Sequence, residues 1–181
     1  MLTIQAYVTG NSEVRQAILK SMATPHDASN PEAQLTAGSI ILSGLLDLPI
    51  GGQEFDPYRP LSSSLLLSHL IRHSKECKEL AHAIRLPSGD GDDDDETVPL
   101  LQLIVGNLMM ASREQAEAAS RAAKEGTESF EEEDWTRVMV GYLVLLSTWL
   151  WDSPKSVAEF LSESANMQVV SRDNNSTCTY Y

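Results

Sequence analysis

Apolar and polar positions fall in blocks along this chain: an apolar helical run, a polar break of one or two residues, then a second helical run. The breaks centre on Asn11, Ser74, Ser112 and Ser153. When the four are superposed, Ile4, Leu67, Val105 and Leu146 stand seven residues before the break, and Tyr7, Leu70, Leu108 and Trp149 stand four before it. Val8, Ile71, Met109 and Leu150 stand three before it, and Ile18, Ala81, Ala119 and Phe160 seven after it. A pair of short helices with one apolar face each cannot bury that face alone and must stack on a neighbour. The pattern predicts an all-α chain, an armadillo-like or HEAT-like helical solenoid that works by presenting surface.

Helical spacing sets the elements. Leu2 to Val8 reads as a short apolar helix, and Asn11 as the cap of the next, with Val14, Ala17, Ile18 and Met22 on one face. After a turn-rich loop from Thr24 to Pro31, a helix is predicted from Pro31 to Leu46 with Leu35, Leu42, Leu45 and Leu46 inward. Pro49, Gly51, Gly52, Pro57 and Pro60 mark a loop. A long helix follows to His73, and Ser74 restarts the chain as a helix to about Arg85. The extra helix at Pro31 to Leu46 favours a three-helix, armadillo-type repeat. Thr97 to Ala111 reads as helical, Ser112 with Gln115 has capping-box spacing, and a further helix runs to Lys124, ended by Gly126. Trp135 to Trp151 is the strongest core candidate, with Trp149 packed and Trp151 partly exposed or touching the next repeat. Ser153–Pro154 starts a last helix with Val157, Phe160 and Leu161 inward. The expected division is a repeat region over 1–170 and an irregular tail over 171–181. The solenoid looks cut at both ends, with Leu2, Ile4, Val169 and Val170 exposed.

Composition narrows the partners. With 13 Lys and Arg against 26 Asp and Glu, the formal net charge is -13, which disfavours nucleic acid. Twelve of the acids lie in two runs, Asp90 to Glu96 and Glu125 to Asp134, both placed outside the repeat helices and read as solvated loops, with a docking tail for a basic partner as the alternative. Cys77 and Cys178 are too few for a disulfide framework and point to a reducing compartment. The most apolar stretch, Val138 to Trp151, is too short to span a bilayer, so no transmembrane segment is expected.

Candidate chemistry is sparse. His69, His73 and Cys77 are spaced four apart, with His82 nearby, and on one unbroken helix would line up three zinc ligands. The break at Ser74 spoils that register, which leaves surface histidines and core packing as the better reading. No glycine pair follows a strand as a phosphate loop requires, and Asp90 to Glu96 lacks the alternating ligands of a calcium loop. No catalytic, cofactor-binding or metal residue is assigned, and the chain is expected not to be an enzyme.

The stretch Val138 to Asn166 carries a more specific signal. Leu143, Leu145, Leu146, Thr148, Trp149 and Leu150, then the Ser153–Pro154 turn, then Phe160, Leu161, Ser164, Ala165 and Asn166 resemble the armadillo-like globular head of the general vesicular transport factor family of ER-to-Golgi tethers. Leu65 to Leu86 resembles the family's preceding repeat, and the likeness extends over Leu2 to Val169. The resemblance implies a cytoplasmic protein, peripheral on Golgi and transport-vesicle membranes. It implies protein partners as well: a Rab-type small GTPase, golgins and the SNARE machinery. Full-length members are homodimers through a coiled coil, but no sustained heptads occur here, so only an interior part of the head is expected, as a fragment or truncated product. The alternative is an unrelated armadillo or HEAT adaptor that binds a basic peptide through its acidic loops.

Overall fold

The computed structural model describes residues 8–23, 35–49, 55–87, 97–126 and 130–162. Among them are seven helices: α1 (Ser12–Met22), α2 (Ala37–Leu46), α3 (Tyr58–Ile71), α4 (Lys75–His82), α5 (Leu100–Glu125), α6 (Phe130–Leu150) and α7 (Pro154–Ser162). Two three-residue strands, β1 (Arg85–Pro87) and β2 (Thr97–Pro99), sit between α4 and α5. The helices form two successive layers of three, α1–α2–α3 and α4–α5–α6, and α7 opens a third. Equivalent helices stack, α1 on α4, α2 on α5 and α3 on α6. The three-helix solenoid expected from the sequence is the fold.

What divides the layers is a joint used three times. At Asn11, Ser74 and Ser153 the backbone N–H donates to the carbonyl three residues back, on Val8, Ile71 and Leu150 (3.2–3.3 Å), and the carbonyl accepts from the residue four ahead. Asn11 Oδ1 accepts from Val14 N at 3.1 Å and Ser74 Oγ from Cys77 N at 3.2 Å, while Ser153 Oγ shares a hydrogen bond with Ser156 Oγ. The residue before each cap is left-handed: Gly10 (φ 75), His73 (φ 55) and Asp152 (φ 51). Gly, His and Asp tolerate that region better than other residues.

The fourth break does not occur, because α5 runs straight through Ser112. The residue before Ser112 is Ala111, whose Cβ opposes a left-handed turn, and Ala111 is buried in the core instead. The capping-box spacing of Ser112 and Gln115 therefore goes unused. The repeat positions are Asn11, Ser74 and Ser153, and the superposition marks only a helix face on which Val105 and Leu108 are buried and Ala119 is half-buried.

Other boundaries shift for local reasons. Pro87 and Pro99 push the residues before them into extended backbone, so Arg85–Pro87 and Thr97–Pro99 pair as antiparallel strands, Leu86 opposite Val98; helix was expected over Thr97–Pro99 and up to about Arg85. Leu100 N donates to Ile84 O at 3.0 Å and starts α5 against this ribbon. The helix predicted from Pro31 starts at Ala37, where Thr36 Oγ1 accepts from Ser39 N. Leu35 is consequently outside it and exposed. On α1 the buried residues are Leu19 and Met22, whereas Ala17 is exposed. On α7 only Phe160 packs among the three expected; Val157 and Leu161 face solvent. Gly126 ends α5 as predicted, and it does so in the left-handed conformation. Of the proposed first helix only Val8 is described, and it is buried; Leu2, Ile4, Val169, Val170, the loop from Thr24 to Pro31 and the run from Asp90 to Glu96 lie outside the described residues.

The core is built around α6, whose Trp135, Val138, Tyr142, Leu145 and Trp149 are buried between α3 and α5. Close approach depends on small residues. A Cβ on Gly141 would lie 3.0 Å from Leu61 Cα, and one on Gly38 would lie 2.5 Å from Ile18 O and 2.6 Å from Met22 N. Gly106, on the exposed side of α5, has nothing within 4 Å. Gly38→Ala is expected to lower the unfolding free energy by about 2 kcal/mol, since backbone must move to admit the methyl. Gly106→Ala should raise it by about 0.5–1 kcal/mol through helix propensity and chain entropy. Urea denaturation of both variants checks the opposite signs.

Candidate functional site

The histidine and cysteine stripe is dispersed by the joint. Cys77 is buried in α4, His73 occupies the exposed left-handed position, and His69 is half-buried on α3. No three His, Cys, Asp or Glu side chains come together as metal ligands among the described residues. His82 turns elsewhere, its Nδ1 2.8 Å from Glu159 Oε2 on α7.

A cleft of about 340 Å³ lies between α4 and the α6–α7 joint, lined by Lys75, Lys78, Glu79, His82, Asp152 and Lys155 among others. Lys78 is buried and its Nζ donates to Trp151 O, at the end of α6. Burial pushes the Lys78 ammonium below its ordinary pKa, and Asp152 opposes the shift. The same contact occurs one layer earlier. Arg15 of α1 donates from Nε to Leu70 O and from Nη2 to Arg72 O, both at 2.6 Å. Arg15 and Lys78 each stand four residues after a cap, and Arg72 and Trp151 each two residues before the next one. A cation on the first helix of a layer thus holds the open end of that layer's last helix, where carbonyls lack helical partners and the dipole is negative. The cleft is the seam of this contact, with three lysines set against Glu79 and Asp152. Its chemistry is structural. Sequence reasoning missed it, although the shared offset of Arg15 and Lys78 was there to be seen.

The second acidic run is also structural. Glu125 is the last residue of α5, and Glu131, Glu132 and Glu133 form the first turn of α6, where carboxylates complement the helix N-terminus. Arg121 reaches Glu131 at 2.8 Å, and Arg137 reaches Glu133 at 3.0 Å and Asp134 at 2.5 Å. The hydrogen bond to Glu131 raises the Arg121 pKa above its ordinary value. Glu131, Glu132, Glu133 and Asp134 are engaged with their own chain on a helix rather than forming a solvated loop.

What the layers leave outward is apolar. Val140, Leu143 and Val144 of α6 are 39–49% exposed and Trp151 is 75% exposed, as foreseen for Trp151, whereas Trp149 is buried. No helix among the described residues is long and apolar enough to cross a membrane.

Stacked helical layers with jointed ends and an open apolar face are the geometry of a binding scaffold. Residues 1–177 match the family model described as Uso1/p115-like vesicle tethering protein, head region. The chain belongs to this vesicle tethering family. The match covers almost the whole chain and agrees with the resemblance seen around Trp149 and Ser153. No curated protein matches in direct sequence comparison. Membership in the Uso1/p115-like family implies a tethering role in vesicle transport, which is non-enzymatic.

One prediction concerns Lys78. Its pKa is lower folded than unfolded, so between those values the unfolded chain binds more protons and stability rises with pH toward the ordinary lysine value of 10.5. Relative to Lys78→Met, the natural chain should gain unfolding free energy as pH rises from neutrality toward the ordinary lysine value. Equal pH slopes in urea denaturation would contradict it.

Proposed function

We propose that this chain is a non-catalytic docking scaffold for tethering transport vesicles in ER-to-Golgi and intra-Golgi traffic, and that it works by protein–protein contact along the layered surface. The observation that carries this reading is the match to a tether head over residues 1–177. A solenoid of this kind offers many shallow contacts rather than one enclosed site, which suits recognition of a folded partner. In this reading residues 1–170 form the repeats and 171–181 a tail without a repeat of its own. The chain acts from the cytoplasmic side, peripheral to Golgi and vesicle membranes, with a Rab-type small GTPase, golgins and SNARE proteins as partners. Homodimerisation belongs to full-length members.

The adaptor reading, in which acids capture a basic peptide, is weakened by the ion pairs that occupy Glu131, Glu133 and Asp134. It rests on Asp90 to Glu96. Binding of the chain to a Golgi Rab-type GTPase, measured by surface plasmon resonance in both nucleotide states, is expected to favour the GTP-loaded form. It should persist when the acids of Asp90 to Glu96 are replaced by Ser. Equal binding of both nucleotide states would refute the GTPase as partner, and salt-sensitive loss in the Ser variant would favour the adaptor.

A further inference from the structure

The seam between α4 and the α6–α7 joint holds more cation than its contact uses. Lys78 donates to Trp151 O, whereas Lys75 and Lys155 line the same cleft and, among the described residues, form no ion pair and no side-chain hydrogen bond. Both are exposed. The carboxylates lining the cleft are Glu79 and Asp152, and His82 is occupied by Glu159 of α7. Lysines thus outnumber carboxylates along the lining, on a chain whose net charge is -13.

The cap that opens α7 lines this cleft and differs from the other two. Asn11 and Ser74 each take a first-turn N–H, of Val14 and of Cys77. Ser153 Oγ instead shares its hydrogen bond with Ser156 Oγ. Pro154 has no N–H, Val157 N donates to Ser153 O, and the N–H groups of Lys155 and Ser156 meet no acceptor among the described residues. Unclaimed first-turn N–H groups and three lysines therefore border the space beside Ser153, and both complement an anion.

The sequence offers a source for that anion. Ser153–Pro154 is the only Ser–Pro in the chain, and Thr24–Pro25 is the other hydroxyl residue before a proline. Serine before proline is the dipeptide that proline-directed protein kinases read, since their site accepts a residue without a backbone N–H. Trp151, Asp152, Pro154 and Lys155 are exposed around it, and α7 buries only Ser156, so this helix can lift from α4 at little cost.

We propose that Ser153 is a phosphorylation site and that the cleft between α4 and α7 receives its phosphate, paired with Lys75 and Lys155 and capping the first turn of α7. In the transfer Ser153 Oγ attacks the γ-phosphorus of ATP held by a kinase. The Oγ–P bond forms, the bond from that phosphorus to the ADP oxygen breaks, and the serine proton passes to a base of the kinase. The product carries a charge of about -1.5 to -2 at neutral pH and strong acceptor oxygens. It replaces the bond between the two serine hydroxyls and pins α7 onto α4. Glu79 and Asp152 oppose the phosphate, so the lysines decide the outcome. The joint that opens the third layer becomes a point of regulation, whichever partner the surface binds.

The test uses the full chain with a proline-directed protein kinase and ATP, in a Thr24→Ala background that leaves Ser153 as the one such site. Tandem mass spectrometry should place the phosphate on Ser153, and Ser153→Ala should abolish it. Phosphorus NMR over about pH 4 to about pH 8 then follows the second ionisation of the phosphate, which should lie about 0.5 or more below the ordinary value of about 6. Lys75→Gln with Lys155→Gln, two exposed positions that leave the Lys78 contact in place, should move it back toward that value. The phosphorylated chain should also melt higher than the unmodified one, and the double lysine variant should lose that gain. No phosphate on Ser153, or one whose ionisation keeps its ordinary value and ignores the lysine variants, overturns the proposal. So does a fall in melting temperature on phosphorylation, which would make the phosphate a wedge that opens the joint.

Discussion

A helix that stops at a left-handed turn leaves its last carbonyls without helical partners, and in this chain the first helix of the same layer answers them. Arg15 reaches Leu70 O and Arg72 O, and Lys78 reaches Trp151 O. Hydrogen bonds from a charged donor contribute about 1.5–3 kcal/mol net, against about 0–1 kcal/mol for an exposed ion pair. The surface pairs Arg59–Asp47 and Arg113–Glu117 are secondary to these two contacts. The register of a layer's first helix against its last follows from them, because a slip by one residue would point each cation at the wrong carbonyl.

The same economy governs α2. Leu45 O, near its C-terminal end, accepts from Tyr142 OH at 2.5 Å and from Asn107 Nδ2 at 3.2 Å, one donor from each of the two helices packed beyond it. Burial raises the Tyr142 pKa, partly offset by Asn107, so the phenol stays a protonated donor. Polar ends are thus satisfied within and across layers while glycines let the helices meet. Gly141 seats α6 on α3, and Gly38 seats α2 on α1.

Much of this was legible in the sequence. Asn11, Ser74 and Ser153 are caps, Gly126 is a stop, and Trp149 is core because it shares a position with Leu70. The Ser112 break was misread because polarity alone does not make a joint. The residue before it must also accept a left-handed backbone, which Ala111 does not and Asp152 does. The β1–β2 ribbon escaped notice because prolines were weighed as helix starts and stops, not as constraints on their predecessors. Apolar spacing named Val157 and Leu161 as inward, but it cannot tell a face that is packed from one awaiting a partner.

The two cation contacts share a direction. Arg15 precedes Arg72 by 57 residues and Lys78 precedes Trp151 by 73, so the donor is always the earlier part of the chain. A polypeptide is synthesised from its N-terminus, at about 5–20 residues per second. The first helix of each layer therefore leaves the ribosome with its cation in place several seconds before the helix end it will bind exists. Assembly acquires a polarity: the first helix of a layer waits with its cation, and the layer is locked only when its own closing turn has been made.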